Sequence, residues 1–216
     1  MSVEPAPQAA VVAPELEEDL PGLAVWSLPA ERAGRRTPAG VRERLLLLDA
    51  RWRGPDALLL RRRPTTHAYR VLFFHLGLDP DVQPTPAERA VRDRLVHGTF
   101  ATGDRLRDAL TLAVVETGVP VLALDAEAAG EELALRAARP GDELVVPGGA
   151  RVPLVPGRIV LADARRPLAV LFGTLSADCE PTPRTRSLRL AAVQAPSVPA
   201  AHVSEALWLA SEALAA

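Results

Sequence analysis

The sequence predicts a single α+β domain in which a barrel-like mixed β-sheet is flanked by several α-helices. Helical periodicity dominates before Gly118, whereas short Val- and Leu-rich segments separated by Gly and Pro follow it, before one last helix. Such short, interrupted strands are typical of a closed or strongly curved sheet. The chain has 216 residues, 48% of them hydrophobic, which is enough for one sizeable core and too little for two.

The N-terminal segment is rich in Pro, Ala and acidic residues and shows no periodicity. We therefore expect residues 1–20 to be disordered and residues 21–216 to form the domain. A strand is predicted at 23–28. A helix follows, with Thr37 as its N-cap and Pro38 as its first residue, and its apolar stripe recurs at helical spacing as Val41, Leu45, Leu48 and Trp52.

Gly54-Pro55 ends this helix, and residues 56–63 are interpreted as a connecting segment. Thr85 and Glu88 give the clearest local signal, because they form a capping box in which hydroxyl and carboxylate bind helix-end amides. Three further helices are predicted, at 67–76, from Pro86 to Gly98, and at 104–117, and the capping box begins the second of them.

Seven short strands rich in Val and Leu are predicted after Gly118, at Pro120–Leu124, Glu132–Arg136, Glu143–Val146, Arg151–Leu154, Arg158–Leu161, Leu168–Phe172 and Ser187–Val193. A final helix at 200–214 buries an apolar face made of Val203, Leu207 and Trp208.

Composition excludes several kinds of chemistry. All 25 basic residues are arginine, so the chain has no Schiff-base lysine and no GxxxxGK[ST] phosphate loop. The net charge of −2 does not suit a general polyanion binder, so any RNA contact must come from local arginine clusters. The four histidines do not have metal-ligand spacing, and we expect neither a metal nor a cofactor.

A cytoplasmic protein without membrane contact is expected. No apolar run approaches the ~20 residues that a membrane helix needs. The N-terminus has no positive charge before its apolar residues, which excludes a secretory signal. The single cysteine, Cys179, excludes an internal disulfide and fits a reducing compartment.

The stretch from Asp108 to Gly141 carries an ordered series of motifs. Gly-x-Pro opens a strand after a helix, Asp125 closes that strand, and Arg136-Ala137 runs into Pro140-Gly141-Asp142-Glu143. This order resembles the B3/4 domain of the bacterial phenylalanyl-tRNA synthetase β chain, the editing module that hydrolyses wrongly charged tRNA. The similarity covers about residues 20–195, and it implies a stand-alone B3/4-like domain with tRNA as its partner.

The resemblance also implies where a pocket lies. The synthetase uses a His directly after the Gly-x-Pro-x segment, a Glu on a following strand, and a Gly-containing turn. The His position falls on Leu122, the Glu position falls near Leu190 or Ala191, and the turn persists as Phe172-Gly173-Thr174. The implied substrate pocket, Leu122 with Phe172, Gly173 and Thr174, therefore lacks the groups that orient a water or bind a tyrosine hydroxyl.

The polar segment after this turn carries the candidate catalytic groups. Thr174 and Ser176 are candidate hydrolytic or substrate-binding hydroxyls. Cys179 is either a nucleophile, if a histidine base approaches it, or a small packed hydrophobe. Asp178 and Glu180 are either general acid and base or solvated charges of an exposed loop.

Arg184, Arg186 and Arg189 flank a predicted strand on the side of the implied pocket. Because guanidinium groups bind phosphates through paired hydrogen bonds, these arginines are the candidate RNA-binding residues. The alternative is ordinary surface charge, balanced by 27 acidic residues.

Three functions are therefore open. The first is a tRNA-linked module that binds an acceptor end or aminoacyl group without hydrolysis. The second is a free-standing aminoacyl-tRNA deacylase that uses Thr174, Ser176 or a backbone-held water. The third is a domain that keeps the fold but binds a small molecule or a protein. A tRNA-related function is favoured, although fold by itself does not choose among them.

Overall fold

The structure is a computed structural model that describes residues 6–216; the expected disorder of residues 1–5 lies outside the described residues. The described chain contains helices and strands in one α+β fold, which confirms the predicted class. The strands are β1 (Gln8–Ala9), β2 (Val11–Val12), β3 (Ala24–Glu31), β4 (Val121–Asp125), β5 (Ala134–Ala137), β6 (Glu143–Val145), β7 (Arg151–Pro153), β8 (Ile159–Ala162), β9 (Pro167–Val170) and β10 (Ser187–Gln194). The helices are α1 (Pro14–Asp19), α2 (Ala39–Arg51), α3 (Gly54–Leu60), α4 (Pro64–His75), α5 (Pro86–His97), α6 (Arg105–Thr117) and α7 (Ala200–Ala215).

The strands form three separate sheets, so the expected barrel-like sheet is wrong. The first sheet has the order β1-β3-β10-β4 and is antiparallel. The second has the order β2-β5-β8-β9, in which only the β2–β5 pair is parallel. Strands β6 and β7 form a hairpin. Each four-stranded sheet keeps two edge strands, and no closed barrel forms within residues 6–216.

A turn at the end of β4 explains this division. Strands β4 and β5 are consecutive in the chain but do not pair. The Asp125 carboxylate accepts a hydrogen bond from the N–H of Glu127 (3.0 Å), and the Asp125 carbonyl accepts one from Ala129 (2.9 Å). The chain therefore turns away from the first sheet at Asp125 and enters the second.

Residues 8–19 form regular structure, so the expected disorder of residues 1–20 is wrong for this part of the segment. The N–H groups of Ala10 and Val11 donate to carbonyls of β3 and of the residue before β5, at 2.7 and 3.0 Å. Leu16 and Leu20, one helical turn apart, are buried. Composition did not predict that this segment is ordered, because its hydrogen-bond partners lie in strands that are far away in the sequence.

Three predictions for the N-terminal half differ from the structure, and one of them is the start of α4, which begins at Pro64 rather than at His67. The N-cap of α2 is Pro38 rather than Thr37, because the Thr37 hydroxyl donates to the buried carboxylate of Asp108 at 2.6 Å. The segment expected to connect helices at 56–63 is largely α3, which has Pro55 in its first turn.

The local end signals of α5 and α6 are confirmed. The Glu88 carboxylate accepts hydrogen bonds from the N–H and the hydroxyl of Thr85, at 3.0 and 2.8 Å, which completes the capping box. Gly98 and Gly118 end α5 and α6 in the left-handed conformation, with φ of 84° and 78°.

The core lies between the first sheet and the helices. Helix α7 packs on β3 and β10, and α6 packs on α7. Leu112, Leu190 and Leu207 are fully buried there. The Tyr69 hydroxyl on α4 donates to the Val193 carbonyl of β10 at 2.5 Å, which ties the outer helices to the central strand.

Candidate functional site

The turn that carries Phe172, Gly173 and Thr174 is a rigid connection at the edge of the second sheet. Its ends are joined by hydrogen bonds from Gly173 N–H to the Val170 carbonyl and from Val170 N–H to the Thr174 carbonyl, both 2.9 Å. Phe172 has a φ of 56° and packs its ring 4.7 Å from that of Phe73. A Cβ at Gly173 would lie 3.0 Å from the Val170 side chain, so a residue with a side chain requires Val170 to shift. The turn is therefore built around an aromatic anchor.

Leu122 lies in a different sheet from this turn. It is half-buried on β4, in the first sheet, where its Cα is paired with that of Ala191 on β10. Five clefts of 270–390 Å³ on the described surface are lined by other side chains than Leu122, Phe172, Gly173 and Thr174. None of these five clefts is shared by Leu122 and the Phe172–Thr174 turn.

Ser176 is fully buried and its hydroxyl is occupied. The hydroxyl accepts a hydrogen bond from the N–H of Val145 (3.0 Å) and donates one to the Asp178 carboxylate (2.7 Å). Burial opposes ionisation of Asp178, but hydrogen bonds from Arg166 and Ser176 outweigh it and lower the pKa of this carboxyl. An ion-paired carboxylate of low pKa is a weak base. Ser176 and Asp178 therefore hold the β6–β7 hairpin in place, and Asp178 does not activate the Ser176 hydroxyl as a nucleophile.

Within the described residues, neither of the other two candidate nucleophiles is hydrogen-bonded to a basic side chain. Cys179 is fully buried, its Sγ lies 3.2 Å from the Ser176 carbonyl, and burial raises the pKa of its thiol to about 11. The thiolate that would attack is therefore scarce at neutral pH. Thr174 is exposed, and no described side chain hydrogen-bonds its hydroxyl. Glu180 is exposed, as expected of a solvated charge.

Two of the candidate RNA-binding arginines are presented by a tight turn. The N–H of Thr185 donates to the Thr182 carbonyl at 3.1 Å, with Pro183 in the second position of the turn. Arg184 occupies the third position and Arg186 follows the turn, and both side chains are exposed. We call residues 182–186 the arginine turn.

Buried polar groups hold the arginine turn in place. The guanidinium of Arg32, itself buried, donates to the carbonyls of Thr182 (2.7 Å) and Thr185 (2.5 Å). The Thr185 hydroxyl donates to the Asp125 carboxylate at 2.7 Å. The turn is thereby fastened to β3 and β4. Sequence reasoning missed Arg32 as an anchor, because it lies about 150 positions away and no local pattern marks such a contact.

Arg189 differs from the other two arginines. It lies within β10, paired with Pro29 and Leu124, and is half-buried. Its Nε is buried and has no hydrogen-bond partner among the described groups. Directly paired residues share a sheet face, and residues two apart do as well, so Arg189 lies on the same face as Leu122. In the described part of the chain, none of the three arginines forms an ion pair within 4.0 Å.

The described residues contain neither a metal-ligand cluster nor a membrane-spanning helix. Across residues 6–216, no group of three or more His, Cys, Asp and Glu side chains is placed to hold a metal ion. No helix in that range is both long and apolar enough to cross a bilayer. Comparison with known proteins gives no relative: no protein-family model matches the chain, and no curated protein sequence matches it.

Proposed function

We propose that this chain is a B3/4-like protein that binds tRNA, or the aminoacyl group that tRNA carries, without hydrolysing the ester. The observation that carries the proposal is the arginine turn. It presents Arg184 and Arg186 to solvent, without an acidic partner within 4.0 Å in the described chain, on a backbone held by Arg32 and Asp125.

A fixed turn favours phosphate binding on energetic grounds. Exposed arginines bind phosphate oxygens through paired, charge-assisted hydrogen bonds. Binding that orders a mobile loop costs conformational free energy. This cost is smaller for the arginine turn, because its backbone is already held in place. A guanidinium group that is paired with a carboxylate must break that ion pair before it binds a phosphate. Within the described chain, Arg184 and Arg186 have no such ion pair to break.

The absence of hydrolysis is supported by the state of the candidate nucleophiles. The Ser176 hydroxyl and the Cys179 thiol are buried in structural hydrogen bonds, and no described side chain hydrogen-bonds the Thr174 hydroxyl. The resemblance matches the editing His to Leu122 and the editing Glu to Leu190 or Ala191, and all three side chains are apolar. Binding without chemistry is the function that this set of groups supports best.

Binding of deacylated tRNA at increasing salt tests the proposal. The parent should bind at low salt, and the log–log salt slope should fall by about 0.7–0.9 for each phosphate that an Arg184→Ala, Arg186→Ala double variant no longer neutralises. An Arg42→Ala, Arg89→Ala double variant is the matched control, since it removes two exposed arginines of α2 and α5. Equally weakened binding in both variants would assign it to net charge rather than to the arginine turn. No binding by the parent would favour a domain repurposed for a small molecule or a protein.

A further inference from the structure

Three arginines that the proposed function does not use surround a cleft of about 390 Å³ at the C-terminal end of α2. We call it the α2–α4 cleft; its lining includes Arg51, Trp52, Asp56, Leu59, Arg62 and Arg63. It shares no residue with the arginine turn, and the inference drawn from it does not rest on the proposed tRNA function. We propose that the α2–α4 cleft binds a phosphate monoester that carries an apolar group, either as a soluble compound or as the headgroup of a lipid.

Helix α3 folds the chain so that the end of α2 meets the start of α4. At the start of α3, the N–H of Asp56 donates to the Arg53 carbonyl at 3.0 Å. At its end, the N–H of Arg63 donates to the Leu60 carbonyl, also at 3.0 Å. The guanidinium of Arg63 then lies over the buried ring of Trp52, 4.4 Å from the ring centroid. The walls of the cleft are therefore fixed by the fold before a ligand binds.

The three guanidinium groups keep their donors free for a ligand. Within residues 6–216, no carboxylate lies within 4.0 Å of the guanidinium of Arg51, Arg62 or Arg63. The N–H groups of a guanidinium lie in its plane, so the stacking of Arg63 on Trp52 leaves them available. Such N–H groups bind phosphate oxygens through paired, charge-assisted hydrogen bonds.

Like charges are held together in this cleft. Burial of the guanidinium and, next in size, the charge of Arg51 lower the pKa of Arg63 from its ordinary value, and Asp56 offsets them only in part. Residues 51–63 carry five arginines and one acidic residue in a chain whose net charge is −2. This concentration of positive charge opposes folding of the segment, and a bound anion would relieve the repulsion.

The charge of the lining matches that of a phosphate monoester. Three guanidinium groups and one carboxylate, that of Asp56, give the cleft a net charge of +2. A phosphate monoester carries a charge of about −1.5 to −2 at pH 7 and offers three acceptor oxygens. A carboxylate or a sulfate ester carries only a single negative charge and matches this lining less well.

The remaining space and an exposed leucine indicate an apolar group on the ligand. At ~30 Å³ per water, the cleft holds about 13 waters, so a phosphate group fills only part of it. Leu59 lines the cleft and is 54% exposed, and its neighbour Leu58 is 71% exposed. An apolar group packed against Leu59 would remove this surface from water, which favours binding.

Calorimetric titration of the full chain in a low-salt chloride buffer tests this inference with three soluble probes. Phenyl phosphate carries both the phosphate dianion and an apolar ring, phenyl sulfate keeps the ring but has a single charge, and inorganic phosphate lacks the ring. Phenyl phosphate should bind most tightly, because only this probe matches both the charge and the apolar surface of the cleft. Equal affinity for phenyl phosphate and phenyl sulfate would overturn the proposal.

Vesicles distinguish the two sources of the phosphate. The protein is sedimented with phosphatidylcholine vesicles that contain or lack phosphatidic acid, a lipid whose headgroup is a phosphate monoester. Binding to phosphatidic acid without binding to phenyl phosphate assigns a lipid headgroup, and the reverse result assigns a soluble ester. Binding to both supports the shared chemistry, and failure of the folded parent to bind either overturns the proposal.

Charge-changing variants assign the site. Arg51→Gln and Arg62→Gln should each weaken binding of the phosphate probe about tenfold, through loss of a charge-assisted contact, with unchanged unfolding midpoints. Asp56→Asn should strengthen binding, because it removes the opposing carboxylate charge. The matched control is Arg61→Gln, which alters the adjacent arginine outside the cleft, 3.8 Å from Asp81. Equal weakening by Arg61→Gln and Arg62→Gln, or weaker binding by Asp56→Asn, would refute the assignment.

Further measurements on variants separate this site from tRNA binding. Phosphate-probe binding that survives in the Arg184→Ala, Arg186→Ala variant supports a site independent of the arginine turn, and binding that is lost there contradicts it. If Arg51→Gln and Arg62→Gln weaken tRNA binding while the parent binds neither phenyl phosphate nor phosphatidic acid, the cleft contacts tRNA phosphates. That result would overturn the monoester site without affecting the proposed function.

Discussion

Leu122 and Ala191 lie directly opposite each other across the antiparallel pair of β4 and β10. The resemblance to the synthetase module matches the editing His to Leu122 and the editing Glu to Leu190 or Ala191. The register therefore joins two positions that are 69 residues apart in the chain, and both carry side chains that cannot exchange protons. This pairing leads to the first prediction.

The parent protein should not hydrolyse Tyr-tRNA(Phe) at the rate of an editing domain. Loss of a positioned acid–base group costs about 10²–10⁴-fold in rate, and here both positions are apolar. Leu122→His should restore little, because Ala191 offers no carboxylate to orient the imidazole. Single-turnover deacylation with labelled tyrosine measures the rate. Rapid hydrolysis by the parent that Thr174→Val abolishes would make the free-standing deacylase the better explanation.

Ser176→Ala should lower stability and leave tRNA binding unchanged. The substitution removes the acceptor of the Val145 N–H, and an unsatisfied buried donor costs about 1–3 kcal/mol in the free energy of unfolding. Urea denaturation measures this cost, with Thr174→Ala as the exposed control from the same segment. If Ser176→Ala were as stable as the control while losing tRNA affinity, Ser176 would be a ligand-binding group instead.

Thr185→Val should loosen the arginine turn without removing an arginine. It deletes the hydrogen bond to Asp125 (2.7 Å) and the acceptor of the Thr182 N–H (3.0 Å). We expect a loss of about 0.5–1.5 kcal/mol in stability per neutral hydrogen bond and weaker tRNA binding at the same salt slope, because the charges remain. Thr174→Val, in the other turn, is the matched isosteric control. Full tRNA affinity in Thr185→Val would show that a fixed turn is not required.

Gly118→Ala should cost more stability than Gly98→Ala. Both glycines have φ near +80°, but only a Cβ at Gly118 would meet another side chain, Thr65 at 3.1 Å. The left-handed conformation costs about 1–2 kcal/mol for a residue with a side chain, and the contact adds to this at Gly118. Thr65→Ser, which removes the contacting methyl group, should recover part of the difference in unfolding free energy. Equal costs at the two glycines would mean that the α4 and α6 ends separate easily.

Asp142 should contribute to the acid sensitivity of the fold. The hydrogen bond from Arg136, at 2.6 Å, holds the pKa of this carboxyl below its usual value, against the opposing effect of burial. A depressed folded-state pKa gives stability that is present above the unfolded-state value of about 3.9 and is lost as the pH falls through the folded-state value. The free-energy difference between parent and Asp142→Asn should therefore shrink below about pH 4. Glu127→Gln, an exposed carboxyl, is the control; a difference that stays constant with pH would exclude this role of Asp142.

Features encoded by neighbouring residues could be predicted from the sequence. The Thr85–Glu88 capping box and the glycine ends of α5 and α6 occur where they were expected. The seven predicted strands after Gly118 also occur, with ends moved by no more than two residues. Alternation, caps and turn residues act over a few positions, so the sequence contains them directly.

Which strands pair and which side chains hydrogen-bond to each other was, in contrast, decided by the tertiary structure. Asp125 was expected to close β4, but nothing local showed that the next strand would join a second sheet and leave a barrel open, or that residues 8–12 would pair with two sheets. The same holds for Ser176, whose place in a polar segment made it a candidate catalytic residue. In the folded structure its hydroxyl is hydrogen-bonded to the Val145 N–H and to the Asp178 carboxylate. The α+β class and the ends of α5 and α6 were thus determined by the sequence alone, because they depend on short-range backbone preferences. Which sheets form, which hydroxyls are free and which helix ends meet depend on hydrogen bonds and packing between residues far apart in the chain, and only the folded structure fixes those.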